Sequence, residues 1–192
     1  IDVIPPSRYL TIDSESGPIP SHIRNSCDAV IIAGKSTSTP VLSQVAEEVL
    51  GDGGVAISIQ NGMGHAEILA SRVGNHSVLG GTTTHGAWSG EEGSHWVGRG
   101  TIRLGYLDGG PASGNAQRLL NYLAESSLNP EWDNDIRKSI WLKLLINVAI
   151  NPICSIAGVR NGSLMESTYL WDQSISAMYE ASSVAHACGI DL

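Results

Sequence analysis

One lysine and two carboxamides recur at intervals of four in an otherwise apolar run, Trp141-Leu-Lys-Leu-Leu-Ile-Asn-Val-Ala-Ile-Asn-Pro152. On a helix, Lys143, Asn147 and Asn151 stack along one face. Every other position before Pro152 is Trp, Leu, Ile, Val or Ala, the composition of a helix buried on its remaining sides. Burying polar groups without partners costs roughly 2–7 kcal/mol each. The stripe therefore calls for something polar opposite it, and an anionic or carbonyl-bearing ligand would answer. A structural reading competes: Lys143 can snorkel its ammonium to water, and Asn151 ahead of a proline can mark where the helix bends or stops.

Three further stretches carry groups that suit ligand contact. Gly34-Lys35 presents a cation, Asn61-Gly-Met-Gly64 an amide beside bare backbone, and Gly81-Thr-Thr-Thr-His-Gly-Ala87 hydroxyls and bare backbone. Each follows a short apolar run of strand length, and in open parallel sheets ligands gather beyond the carboxyl ends of the strands. Taken singly, each is also an ordinary strand-end turn. His65, His76, His85 and His95 match no metal-ligand spacing and have no acidic cluster beside them, so no metal is expected. The chain shows neither a G-x-S-x-G nucleophile elbow nor a Walker loop.

The elements that must position these groups can be read from periodicity. Apolar runs at 27–33, 55–59 and 78–81 predict strands, and 40–50 and 65–73 predict helices. Strand alternating with helix indicates a parallel sheet covered on its faces. The segments 96–97 and 101–107 alternate in a strand-like way, and 115–126 is an amphipathic helix. Residues 1–25, rich in Pro and Ser, read as loops and short edge strands. Beyond Pro130 the chain reads as all helix. Asp133 or Asn134 is expected to cap the stripe helix, Asn161-Gly162 to turn, and Ser163-Leu-Met-Glu166 to form a capping box opening a last helix that stops at Gly189. A boundary near 130 divides an α/β part, 1–130, from an all-α part, 131–192.

Composition narrows the function classes. The chain has 192 residues, 42% hydrophobic and 16% charged, with a net charge of −8. That suits one or two domains with a real core, and the absence of a basic block argues against a nucleic-acid partner. No run reaches the roughly 18 apolar residues of a membrane span, because Lys143 and Asn147 interrupt the longest one. Cys27, Cys154 and Cys188 are odd in number and far apart, which suits a reducing cytoplasmic setting better than a disulfide framework. No secretory signal is expected. The chain lacks Phe altogether, and nothing in its chemistry explains why.

Taken together, the stretches Asp28-Ala-Val-Ile-Ile-Ala-Gly-Lys35, Gln60-Asn-Gly-Met-Gly64, Gly80-Gly-Thr-Thr-Thr-His-Gly-Ala87 and Trp141 to Pro152, followed by Asn161-Gly-Ser-Leu164, resemble the ketopantoate reductase (2-dehydropantoate 2-reductase) family. The resemblance implies a partial Rossmann-type, dinucleotide-binding sheet over 1–130 and the start of an all-α substrate and dimerisation-type domain over 131–192. It implies NADPH-dependent reduction of a 2-oxo acid on the route to pantothenate and coenzyme A. NADH is left open as the cofactor, and so is a homodimer. Lys143 matches the general acid, and Asn147, Asn151 and Asn161 match substrate-holding amides. Asn61 matches the residue between nicotinamide and substrate, and Lys35 and Ala87 match cofactor-lining positions. The chemistry agrees: hydride delivered to a ketone carbon makes an alkoxide that an ammonium can stabilise and protonate. Three features depart from the pattern. The Gly-rich pyrophosphate loop is not in these residues, nor is a later stretch with a serine and a glutamate, and Ser38 stands where a glutamine is frequent. The chain is accordingly expected to be the middle of a longer enzyme. Two alternatives stand beside this reading, an oxidoreductase for another 2-oxo or 3-hydroxy acid and a non-catalytic binding module of the same fold.

Overall fold

The computed structural model describes residues 18–91 and 93–192, so the loops expected over 1–17 lie outside it. In chain order the elements are β1 (Cys27–Ile32), α1 (Thr39–Val49), β2 (Leu50–Ser58), α2 (His65–Val73), β3 (Val78–Thr83), β4 (Gly86–Gly90), β5 (Gly93–Gly98), β6 (Ile102–Tyr106), α3 (Gly114–Glu125), β7 (Pro130–Trp132), α4 (Ile136–Ala157) and α5 (Thr168–Ala187). Five strands form one sheet in the order β1-β2-β3-β6-β7, and β4 pairs with β5 as a separate ribbon.

Strands β1, β2 and β3 run parallel, as the strand–helix alternation predicts. Alternate residues then face opposite sides. Ala56 and Val78, in register, face α1 and α2 in a core with Leu69 and Ala70. Ile57 and Leu79, one residue on, face α3 in a second core with Leu119, Leu120 and Leu123. Both faces of the sheet are therefore covered, and the carboxyl ends of β1 to β3 stay open at one edge for the loops.

The structure departs from the sequence-based expectations at several points. Strand β6 runs antiparallel to β3, so the sheet is mixed. Strand β2 begins at Leu50, and β4 and β7 were not anticipated. The chain from Pro130 is therefore not all helix: β7 starts there and pairs parallel with β6. Neither Asp133 nor Asn134 caps α4. Asp135 does, accepting from the Lys138 N–H at 3.3 Å, while Asp133 accepts from the Asp135 N–H at 2.8 Å and from the Ser139 hydroxyl. Of the two readings of Asn151-Pro152, a stop does not apply: α4 runs through Pro152 to Ala157 and ends at Gly158, whose φ of +65° suits glycine. Ser163 opens no helix, because Asn161–Glu166 is a short 3-10 segment and Ser167 caps α5 by accepting from Leu170 N–H. Among the described residues α4 is the one helix long and apolar enough to cross a membrane. Here it packs through Trp141 and Leu145 against Ala185 of α5 and through Ile136 against the sheet.

Candidate active site

Where α4 crosses the carboxyl edge of the sheet, a cavity of about 220 Å³ forms. Asn61 lines it from the β2–α2 loop, and Lys143 and Asn147 line it from successive turns of α4. The stripe and the loop thus meet at the strand ends where ligands bind in open sheets. The Lys143 ammonium donates to the backbone carbonyl of Thr83, the last residue of β3, at 2.8 Å. This contact aims the cation across the end of the sheet. Lys143 is half-buried, and loss of water around it pushes its pKa below the usual lysine value.

Asn61 stands on a loop whose backbone is left-handed at Gly62 (φ +101°) and at Gly64 (φ +81°), conformations that side-chain-bearing residues rarely adopt. A side chain at Gly64 would meet nothing within 4 Å, so the backbone there faces open space. The carboxamide of Asn61, this bare backbone and Lys143 all line the same cavity.

The remaining expected residues lie elsewhere. Asn151 and Asn161 share a different hollow, of about 390 Å³, with Cys154 and Ser155, and both are exposed. Lys35 is exposed and precedes the 3-10 turn Ser36–Ser38. Ala87 sits exposed on β4, paired with Trp96. Neither Lys35 nor Ala87 lines the cavity. Lys143 also borders a second hollow of about 220 Å³, lined by Thr82, Thr84, Thr101 and Arg103 and holding no carboxamide.

Sequence reasoning missed several lining residues. Arg137, on the same helix ahead of Lys143, reaches the cavity rim and sits 3.8 Å from Asp108. Its only sequence signal was a cation on the stripe helix. Gln60 and His65 also line the cavity, but the first looked like a motif flank and the second like a stray histidine. Among the described residues no group of three or more His, Cys, Asp or Glu could hold a metal ion. His85 bridges loops instead, with Nε2 2.9 Å from the Leu128 carbonyl and Nδ1 accepting from the Gly100 N–H.

Comparison with known proteins gives concordant matches. Residues 7–109 match the family described as Ketopantoate reductase PanE/ApbA, and 135–192 match its C-terminal family, Ketopantoate reductase PanE/ApbA C terminal. A 2-dehydropantoate 2-reductase of Archaeoglobus fulgidus is 34% identical over 165 residues, covering 85% of this chain and 54% of that protein. The crystal structure of 2-dehydropantoate 2-reductase from Geobacter metallireducens superposes with a TM-score of 0.78 at 22% identity, covering 88% of this chain and 56% of the other. A ternary structure of D-mandelate dehydrogenase with NADH and anilino(oxo)acetate superposes at 0.77 and 24% identity, covering 90% and 56%. At such identities the two structures establish the fold. The chain spans about half the length of the curated relatives it matches.

Proposed function

The chain belongs to the ketopantoate reductase family, and from that premise we propose that the protein carrying it reduces 2-dehydropantoate to pantoate with NADPH, Lys143 acting as general acid. The observation that carries the reading is the shared cavity: a half-buried ammonium and the carboxamides of Asn61 and Asn147 line it at the carboxyl edge of the sheet.

A bound nicotinamide would supply hydride to the ketone carbon. The chain's own groups do the rest. The Lys143 ammonium, already oriented by the Thr83 carbonyl, hydrogen-bonds the ketone oxygen and then transfers a proton to it as negative charge develops there. Asn147, one turn on, holds a polar group of the substrate beside the reacting carbonyl. Asn61 stands between the substrate and the cofactor's carboxamide. Trp141 and Leu144, also in the lining, keep the site partly dry, which strengthens each of these contacts. In this reading Asn151 and Asn161 hold the far end of the substrate, and Lys35 and Ala87 face the cofactor. The sheet part, 1–130, receives the cofactor and the helical part, 131–192, the substrate, in the cytoplasm.

The test is NADPH oxidation by the complete gene product with ketopantoate, compared with NADH and with other 2-oxo acids. Lys143→Ala is expected to lower kcat about 10²–10⁴-fold. A Lys143→Ala enzyme that keeps most of its rate removes the general-acid role. A kcat/KM higher for another 2-oxo acid reassigns the substrate, since discrimination resides in that ratio.

A further inference from the structure

Beneath the Asn61 loop lies a chain of side-chain hydrogen bonds that reaches both loops with proposed ligand roles. Gln60 is its hub. Its amide N–H groups donate to the Gly34 carbonyl at 2.8 Å and to the Thr39 hydroxyl oxygen at 3.0 Å, and its carbonyl accepts from the Ser58 hydroxyl at 3.3 Å. The Thr39 oxygen lies 3.2 Å from His65 Nδ1, and His65 Nε2 lies 3.2 Å from the backbone carbonyl of Asn61. A carbonyl can only accept, so Nε2 carries a proton. In the neutral ring Nδ1 is then an acceptor, and the single Thr39 hydroxyl proton is shared between it and the Gln60 side-chain carbonyl, each 3.2 Å away. Every donor in the sequence Gln60, Thr39, His65 then meets an acceptor, and the chain ends on the residue proposed to separate cofactor from substrate.

The placement is built rather than incidental. Thr39 has no solvent exposure and Ser58 is 4% exposed. A buried polar group without a partner is costly, so these hydroxyls lock where they stand. Gly64, the N-cap of α2, has no side chain to cap the helix, so the helix start makes no capping bond of its own to fix the loop. The left-handed glycines 62 and 64 allow the loop its turn but do not hold it.

We propose that Thr39 and His65, with Gln60 as hub, are positioning residues. They fix the Asn61 backbone against the Gly34-Lys35 loop and so set the distance between cofactor and substrate. The catalytic part of this inference rests on the reductase reading above. The brace itself does not.

The experiment uses Thr39→Val, which keeps the shape but deletes the hydroxyl, Thr39→Ser, which restores it, and His65→Leu, which cuts the chain at its other end. All are made in the complete gene product. Misplacing a reacting geometry by about 1 Å costs up to about 10²-fold in rate. Thr39→Val and His65→Leu are therefore expected to lower kcat about 10- to 10²-fold with little change in the KM for 2-oxo acid, and Thr39→Ser to recover most of the loss. Amide hydrogen exchange at 61–64, measured in parallel, should quicken in both deleting variants and not in Thr39→Ser. Unchanged kcat in folded Thr39→Val, or a Thr39→Ser as impaired as Thr39→Val, overturns the positioning role. Unchanged exchange at 61–64 in both deleting variants overturns the brace. A wild-type protein without reductase activity overturns the functional reading alone, and the exchange data still decide the brace.

Discussion

The two ends of the α4 stripe are alike in sequence and unlike in surroundings. At the near end, Lys143 and Asn147 face the carboxyl edge of the sheet, and the helix is anchored by Ile136, which has no solvent exposure. At the far end, Asn151 borders an open hollow, shared with Asn161 of the 3-10 segment that follows α4. Side chains past Asn151 stand in solvent: Ile156 is 87% exposed and Met165 80%. A helical repeat of four aligns polar groups along a face, but it does not decide what faces them. The sheet supplies an opposing wall for the turns that carry Lys143 and Asn147, while Asn151 borders a separate, more open hollow.

The largest expected effect tests whether this contrast is energetic as well as geometric. Ile136→Ala removes a fully buried side chain between β3, β6 and α4 and should cost about 2–5 kcal/mol of stability. Ile156→Ala, on the same helix, should stay within about 0.5 kcal/mol. Urea unfolding of the two variants provides the comparison. Equal losses would mean that the far end of α4 is as firmly packed as the near end.

A smaller effect concerns the amides. An interaction with a charged or developing-charge group is worth about 1.5–3 kcal/mol, so Asn147→Ala should lower kcat/KM by roughly 10- to 10²-fold. Asn151→Ala, in the separate hollow, should lower it less and mainly through KM, because it touches the substrate away from the reacting carbonyl. Steady-state kinetics of both variants sharpens the contrast. If Asn151→Ala loses as much kcat as Asn147→Ala, the two hollows act as one site.

The same contrast separates what the sequence shows from what it hides. The three parallel strands, their two helices and the stripe of α4 are written in local periodicity, because each buries one regular face. The short β7 and the glycine-rich β4 carry no such period, and the reversal of β6 depends on pairing with a strand some twenty residues earlier. The cap at Asp135 was missed because Asp133, Asn134 and Asp135 all have the right chemistry, and tertiary contacts decide among them. Asn151-Pro152 left bend, stop and continuation open in the sequence, and a helix can carry a proline once packing compensates for the lost N–H. The brace under Asn61 was invisible for another reason: Thr39 lies 21 residues from Gln60 and 26 from His65, so no spacing rule joins them. Gln60 and Asn61 were adjacent letters of one motif, and only coordinates show that one supports the other.

The smallest effect probes Lys143 through pH. Burial disfavours its charged form, so the folded chain releases this proton at a lower pH than the usual lysine value of 10.5. Well below the lowered value both folded and unfolded chains hold the proton, and this group makes stability no more pH-dependent there. Between the lowered value and 10.5 the unfolded chain binds more protons, so the folded state gains stability as pH rises. Lys143→Met lacks this gain. The stability difference, wild type minus Lys143→Met, should therefore shift toward the wild type across that alkaline window, while other titrating groups cancel in the subtraction. Reduction needs the ammonium, so kcat/KM should fall over the same window in which this stability difference improves. Opposite trends over one pH range would tie both to a single buried proton at the near end of the stripe. Asn151→Ala, at the far end, should leave both trends in place. A pH-independent stability difference would mean that Lys143 is solvated like any surface lysine, and the near end would lose its distinction from the far one.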